Sequence, residues 1–143
     1  MTTYLIVDAG LAIKLIVPHA HRQVYLDLVD QWQQAGYRLC APSLWAYEVA
    51  STFAKMVHFG HLSVTAGRDG LRLAYQLGVE LVSPDEEQAL QAFAWAERLQ
   101  RAAAYDGFYL ALAETLGAEM WTVDRRLANA VAQPWLRMVE ETT

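Results

Sequence analysis

The chain is predicted to be an α/β domain on a mainly parallel sheet, and three observations predict it. Short apolar runs alternate with segments of helical periodicity. At 143 residues, 55% hydrophobic and 19% charged, the chain suits one well-packed domain able to bury about 70% of its unfolded surface. It carries no internal repeat, low-complexity tract or linker.

The elements follow in order. Tyr4–Val7 is a buried-strand run ending in Asp8, and Ala9–Val17 is a helix with Leu11, Leu15 and Ile16 at helical spacing, stopped by Pro18. His21–Ala35 repeats Val24, Leu28 and Trp32 every fourth residue and ends at Gly36. Arg38–Ala41 is the second strand, closed by Pro42, and Ser43 is placed as N-cap of a helix Leu44–Val57. Ser63 or Thr65 caps the next helix, which ends at Gly78, and Val79–Val82 is the third strand. The run from Ser83 to Asp85 opens a helix to about Arg101, Ala104–Leu116 is another, and Gly117 ends it. Met120–Val123 is the fourth strand, Asp124 precedes a short helix to Val131, and Leu136–Val139 is a fifth, edge strand.

Bulk properties exclude several classes. No apolar run reaches the roughly 18 residues of a membrane span, and the opening residues lack a signal pattern. The single Cys40 permits no internal disulfide, so a reducing cytoplasm is the expected home. A net charge of −5 argues against a nucleic-acid coat protein but not against a nuclease, since nine of the 11 basic residues are Arg.

Four acids, Asp8, Glu48, Asp106 and Asp124, hold the chemistry. Three stand at strand–helix junctions, and the carboxyl ends of parallel strands share one rim where ligands bind. Two carboxylates 4 Å apart repel by on the order of 4 kcal/mol at an effective dielectric of 20, so a bound cation is the natural remedy. Asp8 and Asp124 each have a purely structural explanation as turn or capping residues, and Asp106 as a favourable charge at a helix start. Glu48 has none of these. Its helix is apolar on nearly every side, which predicts burial, and a buried carboxylate needs a partner. Thr122 projects to the same side as Asp124 and is assigned to help hold a water. Together the acids predict a metal site and a metal-dependent nuclease.

Four segments resemble the motifs of PIN-domain ribonucleases, in order. They are Leu5 to Gly10 (LIVDAG) followed by Lys14, Ala41 to Ser51 (APSLWAYEVAS), Tyr105 to Glu114 (YDGFYLALAE) and Thr122 to Ala128 (TVDRRLA). Order, spacing and length resemble the VapC-type toxins of prokaryotic toxin–antitoxin pairs. The chain departs from the pattern at Gly10, where Ser, Thr or Asn is frequent, at Ser51, where Asn is common, and at Gly107, where Ala is frequent. The resemblance implies a PIN-like three-layer α/β/α sandwich with a central sheet of about five strands, covering 1–143. It also implies Mg²⁺ or Mn²⁺ on the acidic quartet, RNA cleavage, homodimers, and inhibition by a small antitoxin. The helical pair at 43–78 is the expected antitoxin surface, with Phe53, Met56, Val57, Phe59 and Leu62 as surplus apolar residues.

Asp8 and Asp106 are assigned the main ion, with Glu48 and Asp124 direct or through water, and Glu48 or Asp124 orients or deprotonates an attacking water. Without a Cys–His cluster, zinc is disfavoured. Lys14, Arg125 and Arg126 are candidate phosphate contacts, with solvated surface charge as the plain alternative. The His19/His21 and His58/His61 pairs lack metal spacing, Trp45 and Trp121 are read as packing, and Trp32 as a candidate interface residue. A haloacid-dehalogenase reading fails because Gly10 occupies the place of its second Asp. The remaining alternative is a non-catalytic PIN-like module that binds RNA or protein.

Overall fold

A computed structural model describes residues 2–141; the expected unit of 1–143 thus includes three residues outside that description. Five parallel strands lie in the order β3-β2-β1-β4-β5: β1 Thr3–Val7, β2 Tyr37–Pro42, β3 Glu80–Val82, β4 Glu119–Thr122 and β5 Leu136–Met138. Parallel neighbours need crossovers, and the helices supply them. These are α1 Ala9–Ile16, α2 Arg22–Gln34, α3 Leu44–His58, α4 Val64–Gln76, α5 Glu86–Leu99, α6 Tyr105–Leu116 and α7 Arg125–Val131.

Strand alternation sorts the core into two layers. Leu5 and Val7 of β1 and Leu39 of β2 face Tyr25, Val29 and Trp32 of α2. The intervening Ile6, with Cys40, faces the other way, against Trp45 and Val49 of α3 and Leu110 and Leu112 of α6. In register, Ile6 lies between Cys40 and Met120, all buried. The result is the expected three-layer sandwich. Its strand order turns back between β1 and β4, and in open parallel sheets the crevice beyond that point takes the ligand.

Several readings of individual residues need correction. Helix α3 is not buried all round: Trp45, Val49 and Phe53 face the core, but Tyr47 is 71% exposed, and Ala50 and Ala54 face solvent. The helix buried on most sides is α6, where Tyr109 to Ala113 are all covered, as its apolar composition requires. Ser43 has a helical backbone in place of the extended one of a cap and makes no capping bond; its own N–H donates to the Val82 carbonyl at the end of β3. Trp32 is no surface residue; it is buried with its ring 5.2 Å from that of Trp121. Of the apolar residues expected to be surplus in the α3–α4 pair, Phe53 is core and Met56, Val57 and Leu62 are half-buried, which leaves Phe59 exposed. Gly67 and Gly70 let α4 approach this closely, since a Cβ at either would stand 2.6 Å from Val57 and 2.5 Å from Phe53 respectively.

Candidate functional site

Asp8 follows β1 and Asp124 follows β4, so the sheet's reversal point lies between them. Both cap helices: Asp8 Oδ1 accepts from Leu11 N–H at 2.9 Å and Asp124 Oδ1 from Leu127 N–H at 3.1 Å. The capping and site readings are therefore compatible, because a carboxylate has a second oxygen. Asp8 Oδ2 accepts from the Thr122 hydroxyl at 2.5 Å and the Val123 N–H at 3.2 Å. The same Thr122 oxygen accepts from Asp124 N–H at 3.0 Å. Thr122, fully buried, thus ties the two junctions together.

The helices bring the other two acids. Glu48 is half-buried, and its Oε1 accepts from the Tyr109 hydroxyl at 2.6 Å. Asp106, in the first turn of α6, places Oδ2 at 3.6 Å from Arg101 Nη1. Burial pushes the carboxyls of Asp8, Glu48 and Asp106 above the usual carboxylate range. Their neighbours add to it: Asp124 raises Asp8 and Asp106, while Asp106 and Asp8 raise Glu48. Thr122, Tyr109 and Arg101 respectively oppose the rise. Asp8 and Asp124 are thus linked through Thr122, and each acid lies within reach of another's charge.

Tyr109 and Arg101 were not found from the sequence. Tyr109 is one helical turn after Asp106, a spacing that would have marked it, but it reads equally as core. Burial and the negative charges of Glu48 and Asp8 push its phenol well above the usual range, so it stays a donor. Arg101 lies beyond the left-handed Gln100 that ends α5, where no periodicity applies. Lys14 is engaged elsewhere, 3.7 Å from Glu141, a carboxylate that also accepts from the Tyr25 hydroxyl at 2.5 Å. Arg125 and Arg126 are exposed beside Asp124.

The donor set fits a hard cation. Besides the oxygens already engaged, Asp124 Oδ2 and Glu48 Oε2 have no hydrogen-bond partner among the described residues. No three acids among those residues stand as a ready metal cage, so the oxygen chemistry of the donors, and not their present spacing, is what fits the ion.

The raised carboxyls give the site a pH signature. A group whose folded pKa exceeds its unfolded value keeps its proton longer when folded, so stability falls as pH rises from the unfolded value through the raised one. Glu48→Gln removes one such penalty and retains an oxygen for Tyr109. Without divalent ions it is expected to raise Tm at pH 8 and to reduce the fall in Tm between pH 5 and pH 8. Equal slopes for both proteins in calorimetry would show that Glu48 carries no charge penalty.

Residues 5–132 match the PIN domain family model. The chain belongs to the PIN domain family. No curated protein sequence matches it significantly. Among solved structures, this PIN domain is similar to PAE2754 from Pyrobaculum aerophilum, at 22% identity and TM-score 0.69 over 96% of this chain and 84% of that one. It is similar also to VapBC2 from Rickettsia felis, solved bound to a fragment of its promoter DNA, at 11% identity and TM-score 0.70 over 95% and 97% of the two chains. VapC20 of Mycobacterium tuberculosis, a sarcin–ricin-loop-cleaving toxin, matches at 12% identity and TM-score 0.64 over 92% and 96%.

Two departures from the PIN pattern now have physical reasons. At Gly10 a Cβ would stand 2.5 Å from Val123 Cγ2 and 3.5 Å from Asp8 Oδ1, so Val123 occupies the space a side chain would take. At Gly107 it would stand 2.4 Å from the Ala92 carbonyl oxygen. Nothing in the structure explains Ser51, which is exposed.

Proposed function

We propose that this PIN domain is a metal-dependent endoribonuclease that hydrolyses RNA phosphodiester bonds, as the toxin of a toxin–antitoxin pair. The observation that carries the reading is the placement of Asp8 and Asp124 on either side of the sheet's reversal point, joined through Thr122. Asp8, Glu48, Asp106 and Asp124 would hold Mg²⁺ or Mn²⁺. Such an ion, when bound, supplies charge for a phosphate oxygen and lowers the pKa of a water.

The chain's own residues do the rest. Thr122 holds Asp8 and the Asp124 backbone in fixed relation, and Tyr109 holds Glu48. Asp124, exposed and with Oδ2 available, or Glu48 with Oε2, orients or deprotonates the attacking water. Arg125 meets substrate phosphate; Lys14 does so only if it leaves Glu141.

Similarity to toxin–antitoxin proteins supports an antitoxin partner, with the α3–α4 pair as the surface. Phe59, Val64, Leu73 and Tyr75 there are 69%, 59%, 47% and 56% exposed. The same reading includes a homodimer in the cytoplasm, consistent with a buried, unpaired Cys40. Among the described residues no helix is long and apolar enough to cross a membrane.

The test is cleavage of an RNA pool by purified, partner-free protein with Mg²⁺ or Mn²⁺ against EDTA, beside Asp106→Asn shown to be folded by circular dichroism. Cutting is expected only with metal and only in the unsubstituted protein. Equal cutting in EDTA, or by the variant, would refute the assignment. Metal binding with no cutting would favour the non-catalytic module.

A further inference from the structure

Two tyrosines next to the acids are unexplained by folding. Tyr47 precedes Glu48 and Tyr105 precedes Asp106, and they are 71% and 61% exposed. Among the described residues neither ring stacks on another aromatic, and neither hydroxyl is hydrogen-bonded. Leaving two large amphipathic rings in water gains the fold nothing. Both line a groove of about 640 Å³ between α3 and the start of α6, whose walls also include Glu48, Ser51 and Lys55. Both line an adjoining apolar recess of about 140 Å³, floored by Pro42, Pro84 and Phe108. The tyrosines thus stand where a groove carrying Glu48, Ser51 and Lys55 meets an apolar pocket.

We infer that Tyr47 and Tyr105 form a stacking platform for a nucleobase of single-stranded RNA next to the scissile phosphate. This deepens the ribonuclease reading and rests on it. A phosphodiester held at the acids carries a nucleoside on each side, and this groove begins at Glu48 itself. Aromatic rings accept any base through its π face, which gives affinity with little sequence preference. Lys55 lies two helical turns from Glu48, about 10 Å along α3, and has no ion-pair partner among the described residues. It is placed to meet a phosphate further along the strand. An uncommitted cation at one end of the groove and exposed aromatic rings beside the acids suit a phosphate-bearing strand with bases to stack, whereas the natural seat of an apolar peptide is the exposed α3–α4 surface.

The probe is a single-stranded oligoribonucleotide carrying 2-aminopurine, titrated with Mg²⁺ present into Asp106→Asn protein, which is expected to bind without cutting. Its fluorescence should be quenched on binding. Tyr47→Ala and Tyr105→Ala, added singly and checked by circular dichroism, should each weaken binding about 5- to 100-fold and reduce the quench. Tyr47→Phe and Tyr105→Phe, which keep the ring, should bind like the parent. In the cleaving protein the alanine changes should act on KM more than on kcat. Undiminished binding and quenching by both alanine variants would overturn the platform, even if the protein cuts RNA. So would alanine variants that keep RNA affinity but lose a co-expressed antitoxin, since the groove would then be a peptide seat. Quenching lost in the alanine variants of a protein that cuts no RNA would keep the platform and remove the nuclease. Absence of any RNA binding by the parent would remove both.

Discussion

Gly107→Ala is expected to destabilise the protein by about 3 kcal/mol and to lower Tm by about 10 °C. On propensity alone the change is favourable, since Ala in a helix gains up to about 1 kcal/mol over Gly. Sterics decide against it. The added Cβ would stand 2.4 Å from the Ala92 carbonyl oxygen and 2.9 Å from its Cα. Both are backbone atoms inside α5, with Ala92 itself fully buried, so no rotamer change relieves the clash. The helices must separate, and Asp106 and Tyr109 move with α6. Urea titration should show a lower midpoint at unchanged slope, and RNA cleavage per folded molecule should fall as well. A variant as stable as the parent would show that α5 and α6 have more freedom than their contact suggests.

That contact marks the limit of what the sequence made legible. Element order could be read because its signals are local. Asp85 caps α5 and Ser63 caps α4 as their residue types predict. Gly78 and Gly117 lie just beyond α4 and α6 in the left-handed region, with φ of 73° and 59°, which Gly adopts without the Cβ penalty. The strand order was not local and was not foreseen, although it places Asp8 and Asp124 at the reversal point. Ser43 does not cap because its backbone is already helical, and its N–H pairs with the Val82 carbonyl, 39 residues on, a partner no local signal reveals.

The acids followed the same division. All four were visible as residues at element ends or on an otherwise apolar face. Their partners were not, because Glu48–Tyr109 spans 61 residues and Asp8–Thr122 spans 114. For Glu48 the sequence predicts burial from a helix apolar on nearly every side. The helix is half-exposed, yet burial still raises the Glu48 carboxyl above the usual range, with Asp106 and Asp8 adding to the rise and the Tyr109 hydroxyl opposing it.

Thr122 is where the site and the fold depend on one atom. Thr122→Val keeps the shape and suits a strand, but removes the hydroxyl that donates to Asp8 Oδ2 and accepts from Asp124 N–H. A hydrogen bond to a charged group contributes about 1.5–3 kcal/mol, so a loss of about 2 kcal/mol is expected where Asp8 is ionised. The size should depend on pH with a definite sign. The Thr122 bond lowers the Asp8 pKa, so its loss raises that pKa further and costs most where Asp8 is ionised. The difference in stability between the two proteins should therefore grow as pH rises and shrink in acid. Because Thr122 positions Asp8 and the Asp124 backbone, RNA cleavage or metal affinity should also fall about 10- to 100-fold. Thr122→Ser restores the hydroxyl without the methyl and should recover most of the activity, with stability recovered less because of the lost packing. If Ser fails to rescue cleavage while Val retains it, the hydroxyl has no part in the site, and the two acid-bearing junctions are held together by the Val123 N–H and the sheet alone.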